Sequence, residues 1–325
     1  MRSCLENSPC LARPLGWLQP LVLAVVLLAW YGSVAAQNEP DNALFWEISL
    51  GDQELGYLLG SIHSEDPRVL DYSETFMAQL TSCQVFAMEM VPDLPTLKRL
   101  TEYMHYADAA TLEQTLGSER FSQVMDALSA YQVPMDWKSK MKVWAVMMTL
   151  SVPPPETGLF MDLSLSLRAA GAGLTVNGLE TLDQQLSFLE HMPLDYQLAL
   201  LDQALADHQR VDEVHRQMVD AYLTGDLSVV SRISDMQFAQ LDANIRDYFM
   251  RLGISERNQR MAGKLGLMLQ DSRVFAALGA LHLPGPQGLL ALLRAQGYSL
   301  KPLPLPFPLE IQASGSAAGQ AEFRP

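Results

Sequence analysis

The chain has 325 residues, 49% of them apolar and 18% charged, with a formal net charge of −15. That balance supports a globular core and excludes a disordered chain. The acidity excludes a nucleic-acid backbone as partner, because phosphate binding needs clustered Lys and Arg.

The first 36 residues have the layout of a secretory signal peptide. Arg2 and Arg13 precede an apolar run at 21–30, "LVLAVVLLAW", and the small residues "GSVAA" follow. Cleavage is expected after Ala36. Gln19 and Pro20 cut the run short of the roughly 20 residues that a membrane span needs. The chain is therefore expected to be exported, periplasmic or secreted, with an uncleaved N-terminal anchor as the alternative. No stable transmembrane span is expected after leader removal. Cys4 and Cys10 lie in the leader, so the mature chain keeps Cys83 alone and forms no internal disulfide. Cys83 precedes an apolar run and reads as a buried, inert thiol.

The mature region opens on strand patterns. Residues 44–50, "LFWEISL", alternate; "DQELG" reads as a turn; "YLLGSI" at 57–62 completes a hairpin. Further strands are predicted at 84–90, 174–180, 273–279 and 298–303. Helical spacing appears at 160–170, which stops at "AGAG", and at 194–223, 242–252 and 256–269. "GPQGLLALLRAQG" reads as one more helix. These elements give an α/β fold with α+β features: a central β-sheet, flanking helices and a large helical insertion. Residues 37–303 are expected to form a single domain, with the insertion at about 94–170 and 190–270. The Pro-rich, then small and polar, stretch 304–325 is expected to be a flexible tail.

In open α/β sheets, ligands bind beyond the carboxyl ends of strands. The polar residues at those ends are His63, Glu89, Glu180 and His282. "YLLGSIHSEDP" and "FAALGALHLPGP" place the two histidines in matching Gly-x-x-His settings, after Gly60 and Gly279. Glycine there permits an unusual dihedral or a close approach. Two imidazoles and a carboxylate with an open position form a common catalytic metal set. The alternatives are plainer: Glu89 as a strand residue facing a basic partner, and Glu180 stabilising the start of a helix. A rival metal face would be His208, Asp212 and His215. His105 and His191 have no partner pattern. No HExxH, paired CxxC, Walker loop or GxSxG occurs, which argues against zincin, P-loop and serine-triad chemistry.

Together "LFWEIS", "GYLLGSIHSEDPRV", "VFAMEM", "MDLSLSLRAAGAGLTVNGLET", "ERNQRMA" and "FAALGALHLPGPQGLLALLRAQGYSL" resemble the TraB/GumN family. That family is similar to the animal Tiki proteins and, more remotely, to erythromycin esterases and ChaN-like proteins. The resemblance implies that the paired Gly-x-x-His motifs are a hallmark, here Gly60/His63 and Gly279/His282. It implies a metal-dependent protease site of His63, His282 and Glu89, as described for Tiki proteins acting on secreted signalling proteins. The glutamate of "GLET" is Glu180, and the Arg-Asn pair is Arg257 and Asn258. Arg68 and Asp162 match further recurrent polar positions.

The expected function is a metal-dependent, peptidase-like hydrolase. It would use a divalent ion (Mn, Co or Zn) and act on a peptide or other small substrate, with no nucleic acid involved. Glu89 or Glu180 would act as base, Arg257 would steady the oxyanion, and Asn258 would bind substrate or orient a ligand. The alternative is a non-enzymatic exported protein that binds a metal, haem or glycan.

Overall fold

The computed structural model describes residues 42–305 and 307, and these belong to one compact unit that begins at Asn42. The leader and most of the predicted tail lie outside the described residues. Strands β1 (Phe45–Leu50), β2 (Gln53–Ser61), β3 (Val85–Met88), β4 (Thr175–Gly178), β5 (Val274–Gly279) and β6 (Ser299–Leu303) form one mixed sheet in the order β4-β3-β5-β2-β1-β6. Helices flank the sheet, and the fold is α/β. No helix among the described residues is long and apolar enough to cross a membrane.

β1 and β2 form the predicted hairpin, but the turn is tighter than "DQELG" suggested. Gln53 and Glu54 already pair with Leu50 and Ser49. Gly51, with φ 59°, supplies the left-handed backbone that lets so short a connection reverse the chain. On the other side β2 runs parallel to β5. The two approach so closely at Gly56 that a Cβ would lie 1.9 Å from the Val274 carbonyl oxygen, so only glycine fits.

β3 and β5 are short apolar runs because both faces are covered. Phe45, Phe76, Phe86 and Phe275 pack in the main core; the Phe76 and Phe275 rings meet edge-on at 5.3 Å. β4 lies at the sheet edge, partly exposed, and pairs with β3 over Thr175–Gly178.

Helices fill the segments between β3 and β4 and between β4 and β5. Leu112, Leu128, Trp144, Val146, Leu189 and Leu201 form a second apolar cluster there. This second core explains why the helix expected over 194–223 is interrupted. Leu194–Asp207 turns Leu201 into the second core, whereas Val211–Leu223 turns Val219 and Tyr222 into the main one. A 3-10 turn at His208–Arg210 separates them. The predicted helix 242–252 also changes character. Ala243–Tyr248 passes into a π-helical stretch, Phe249–Ser255, which leads into Glu256–Asp271. π-Helical turns are rare and often stand beside functional residues; here Arg257 and Asn258 follow one residue after it.

Candidate functional site

β2, β3, β4 and β5 all point the same way, so their carboxyl ends share one edge of the sheet. Along that edge, in strand order, stand Glu180 after β4, Glu89 after β3, His282 after β5 and His63 after β2. The ladder continues past the strands: Leu179 N–H donates to the Met88 carbonyl and Glu180 N–H to the Glu89 carbonyl, each at 2.7 Å. The two motif glycines work by close approach and not by an unusual dihedral. Gly279 has φ −49°, and a Cβ there would sit 3.2 Å from Glu89 Oε1. A Cβ on Gly60 would sit 3.1 Å from Ala280 Cα.

Five of the expected residues touch one another. Glu89 Oε1 accepts the Gly279 N–H at 3.0 Å and lies 3.6 Å from His282 Nε2. Glu89 Oε2 accepts from the Arg257 guanidinium at 2.6 Å and from Gln185 Nε2 at 3.3 Å. Arg257 also holds Glu180, at 2.8 Å through Nε, and Arg260 reaches the second Glu180 oxygen at 3.2 Å. The Glu180 side chain is fully enclosed, while Glu89 keeps 21% of its side-chain surface.

Asn258 is fully buried and settles the His282 tautomer. Its Nδ2 donates to the carbonyls of His282 and Gln287, at 3.2 and 2.8 Å, so its Oδ1 must be the acceptor for His282 Nδ1 at 2.6 Å. The ring proton therefore sits on Nδ1, and a neutral His282 presents a lone pair at Nε2. Burial lowers the His282 pKa, helped by Arg257 and opposed by Glu89 and Glu180. For Glu89, burial acts upwards, but the charges of His282 and Arg257 and the Gly279 N–H outweigh it, and the net shift is down. Both groups shift down, which favours a neutral imidazole beside an ionised carboxylate; with the imidazole neutral, Arg257 and the Gly279 N–H are what stabilise the Glu89 charge.

His63 stands beyond the end of the neighbouring strand, near enough to feel the Glu89 charge. Its free edge is open to solvent, and one ring face stacks on Phe160 at 3.9 Å and 16°. Partial burial, then the nearby His215, lowers its pKa against the pull of Glu89 and Glu65. Among the described residues it makes no hydrogen bond to the other site residues.

The loop after His63 is tied down on all sides. Ser64, fully buried, meets His215 Nε2 at 3.0 Å. Arg68 pairs with Asp66 at 2.8 Å and Asp220 at 2.7 Å, and so joins this loop to Val211–Leu223. Ser61 donates to Asp162 Oδ1 at 2.5 Å, and burial pushes the Asp162 carboxyl up to about 7, with Glu89 adding to the rise against the Ser61 hydrogen bond.

His208 and His215 sit on different helical segments: His208 lies beside the Tyr131 ring, 6.3 Å away, and His215 serves Ser64. His105 and His191 bond through Nδ1 to carbonyls of their own helices, Thr101 and Ser187. Among the described residues no three His, Cys, Asp or Glu side chains are grouped to enclose a metal. The donor chemistry nevertheless suits a cation. The His282 lone pair and the ionised Glu89 oxygen face each other with no proton between them, an arrangement that a positive ion stabilises.

Sequence reasoning missed Gln185, Phe160 and Glu65. Gln185 has one local signal: Thr181 and Gln184 form a capping box that starts the helix Leu182–Glu190 right after Glu180. Phe160 and Glu65 have none.

Residues 44–302 match the model of the TraB/PrgY/gumN family. Similar curated proteins include Metalloprotease TIKI1 of Danio rerio, 23% identical over 86% of this chain and 67% of that protein. Metalloprotease TIKI2 of Danio rerio is 23% identical over 76% of this chain and 58% of that protein. Metalloprotease TIKI2 of Xenopus tropicalis is 25% identical over 89% of this chain and 65% of that protein. The chain thus spans between 58% and 67% of the length of these relatives. No solved structure matches.

Proposed function

Starting from the premise that this chain belongs to the TraB/PrgY/gumN family, we propose that it is a metal-dependent hydrolase of peptide bonds. His63, His282 and Glu89 are the residues that would hold a divalent ion: Mn, Co or Zn. The observation that carries this reading is the facing pair, His282 Nε2 and Glu89 Oε1 at 3.6 Å. Such an ion would acidify a water and polarise a carbonyl.

The chain's own residues divide the remaining work. Of the two carboxylates Glu89 keeps an open edge, so it and not Glu180 would reach the ion and its water. Glu180, enclosed by Arg257 and Arg260, is left to hold those guanidinium groups. Arg257, expected to meet an oxyanion, is committed to two carboxylates and acts on Glu89, keeping it ionised and aimed. Asn258 orients His282, as outer hydrogen bonds do for metal-binding histidines. Asp162 and Arg68 hold the two sides of the His63 loop.

The leader makes export part of the same proposal, with peptides or other small molecules met outside the cytoplasm as substrates. A peptide library, incubated with the mature chain before and after chelation, tests the reading. Cleavage lost on chelation and restored by Mn, Co or Zn is expected. Bound metal with no cleavage of any peptide would favour a non-enzymatic binding protein instead.

A further inference from the structure

The two motif histidines are steadied by different means. His282 has Asn258 on Nδ1. Among the described residues neither ring nitrogen of His63 has a hydrogen-bond partner; a parallel aromatic ring, Phe160, covers one face of it instead. An exposed imidazole with two free torsions loses conformational entropy when it must adopt one orientation. A metal-holding histidine needs that orientation set beforehand.

Phe160 is itself held by the segment before it. The Glu65 carboxylate accepts from Glu156 N–H at 2.5 Å, Thr157 N–H at 2.9 Å, Thr157 Oγ1 at 2.6 Å and Gly158 N–H at 2.8 Å. Gly158 has φ 73°, which brings its N–H round to the same carboxylate. Met161 N–H then donates to the Ser64 carbonyl at 3.0 Å. Residues 64 and 65 therefore bind both ends of the stretch 156–161, and His63 immediately precedes them. One short segment carries the imidazole and grips the chain that carries its stacking partner.

We propose that residues 153–160 form a strap that orients the His63 ring, with Phe160 as the positioning residue and Glu65 as its anchor. The proposal rests on the metal-dependent reading above. The strap does for His63 what Asn258 does for His282. Its proline run, Pro153 to Pro155, limits the conformations open to the segment before it is gripped.

The test is a Co²⁺ titration of the metal-free full chain, followed by visible absorption, with circular dichroism as the check on folding. Phe160→Ala is expected to raise the Kd by about 10-fold, the scale found for outer-shell partners of metal-binding histidines. Phe160→Leu, which keeps apolar bulk but no flat ring, should do the same, and Phe160→Tyr should restore the wild-type value. Glu65→Ala should match Phe160→Ala, and the double variant should be no worse than either, because both act through one stack. Unchanged Kd in a folded Phe160→Leu, or multiplying effects in the double variant, would overturn the strap. If the wild type takes up no Co²⁺, the hydrolase reading fails by itself. The strap is then read from the His63 ring-proton shifts, which Glu65→Ala must move as Phe160→Ala does; unmoved shifts would end it.

Discussion

Arg257 stands between two carboxylates with 7% of its surface exposed, and this fixes what each neighbouring residue can do. Removing it leaves Glu89 without its guanidinium and Glu180 with Arg260 in a poorly solvated site. Breaking a buried ion pair from one side costs about 3–5 kcal/mol. Arg257→Ala is therefore expected to lose stability on that scale in chemical denaturation. Arg260→Ala, more exposed and paired with Glu180, should lose less than about 1 kcal/mol. Equal losses would mean that Arg257 is no more than a surface partner. Asp162 is a second sensitive point. Its folded pKa of about 7 lies above its ordinary 3.8, because it is buried beside Glu89. The fold thus favours the protonated carboxyl; that contribution is complete below the ordinary value and is lost as pH rises through about 7. Asp162→Asn cannot ionise and still offers Ser61 an oxygen. In thermal unfolding it should equal the wild type near the ordinary carboxyl value and exceed it above about pH 7. A variant that stays below wild type at every pH would show that the hydrogen bond, and not the ionisation, dominates.

At the scale of elements, the strands were legible because buried parallel strands read as short apolar runs, and β3 and β5 are such runs. The row Glu180, Glu89, His282 and His63 was legible for the same reason: each is the first polar residue past a run. The hairpin turn was misjudged because Gly56 looked like a turn residue, whereas it serves the contact with Val274. The helix break at His208–Arg210 was not legible, since one continuous apolar stripe serves two cores and periodicity does not say which core a residue enters. The second core has its own test. Leu201 is fully buried in it, on the side of the interruption away from the site. Leu201→Ala should cost about 2–5 kcal/mol in unfolding while leaving the metal content of the folded protein unchanged. Loss of metal together with stability would show that the helical region and the sheet edge are energetically one unit.

On the scale of the whole molecule, four parallel strand ends supply the site and the intervening helices supply the residues that aim it. Gln185, Phe160 and His215 reach the edge from segments far apart in the chain, so no spacing in the sequence ties them to it, and Asn258 was legible through the family resemblance alone. The apolar runs could be read locally; these returns depend on how the helices pack. The contact of His215 with Ser64 also makes it unsuitable as a remote control for the histidine variants. His191, bonded to its own helix, takes that role. The central claim is that His63 and His282 hold one ion. The most direct measurement is the metal content of the purified mature chain beside His63→Ala, His282→Ala and His191→Ala, each checked for folding by circular dichroism. Close to one divalent ion per wild-type and His191→Ala chain, and nearly none in the other two, is the result expected for a site with few protein ligands. Metal retained in folded His63→Ala or His282→Ala would contradict the shared site.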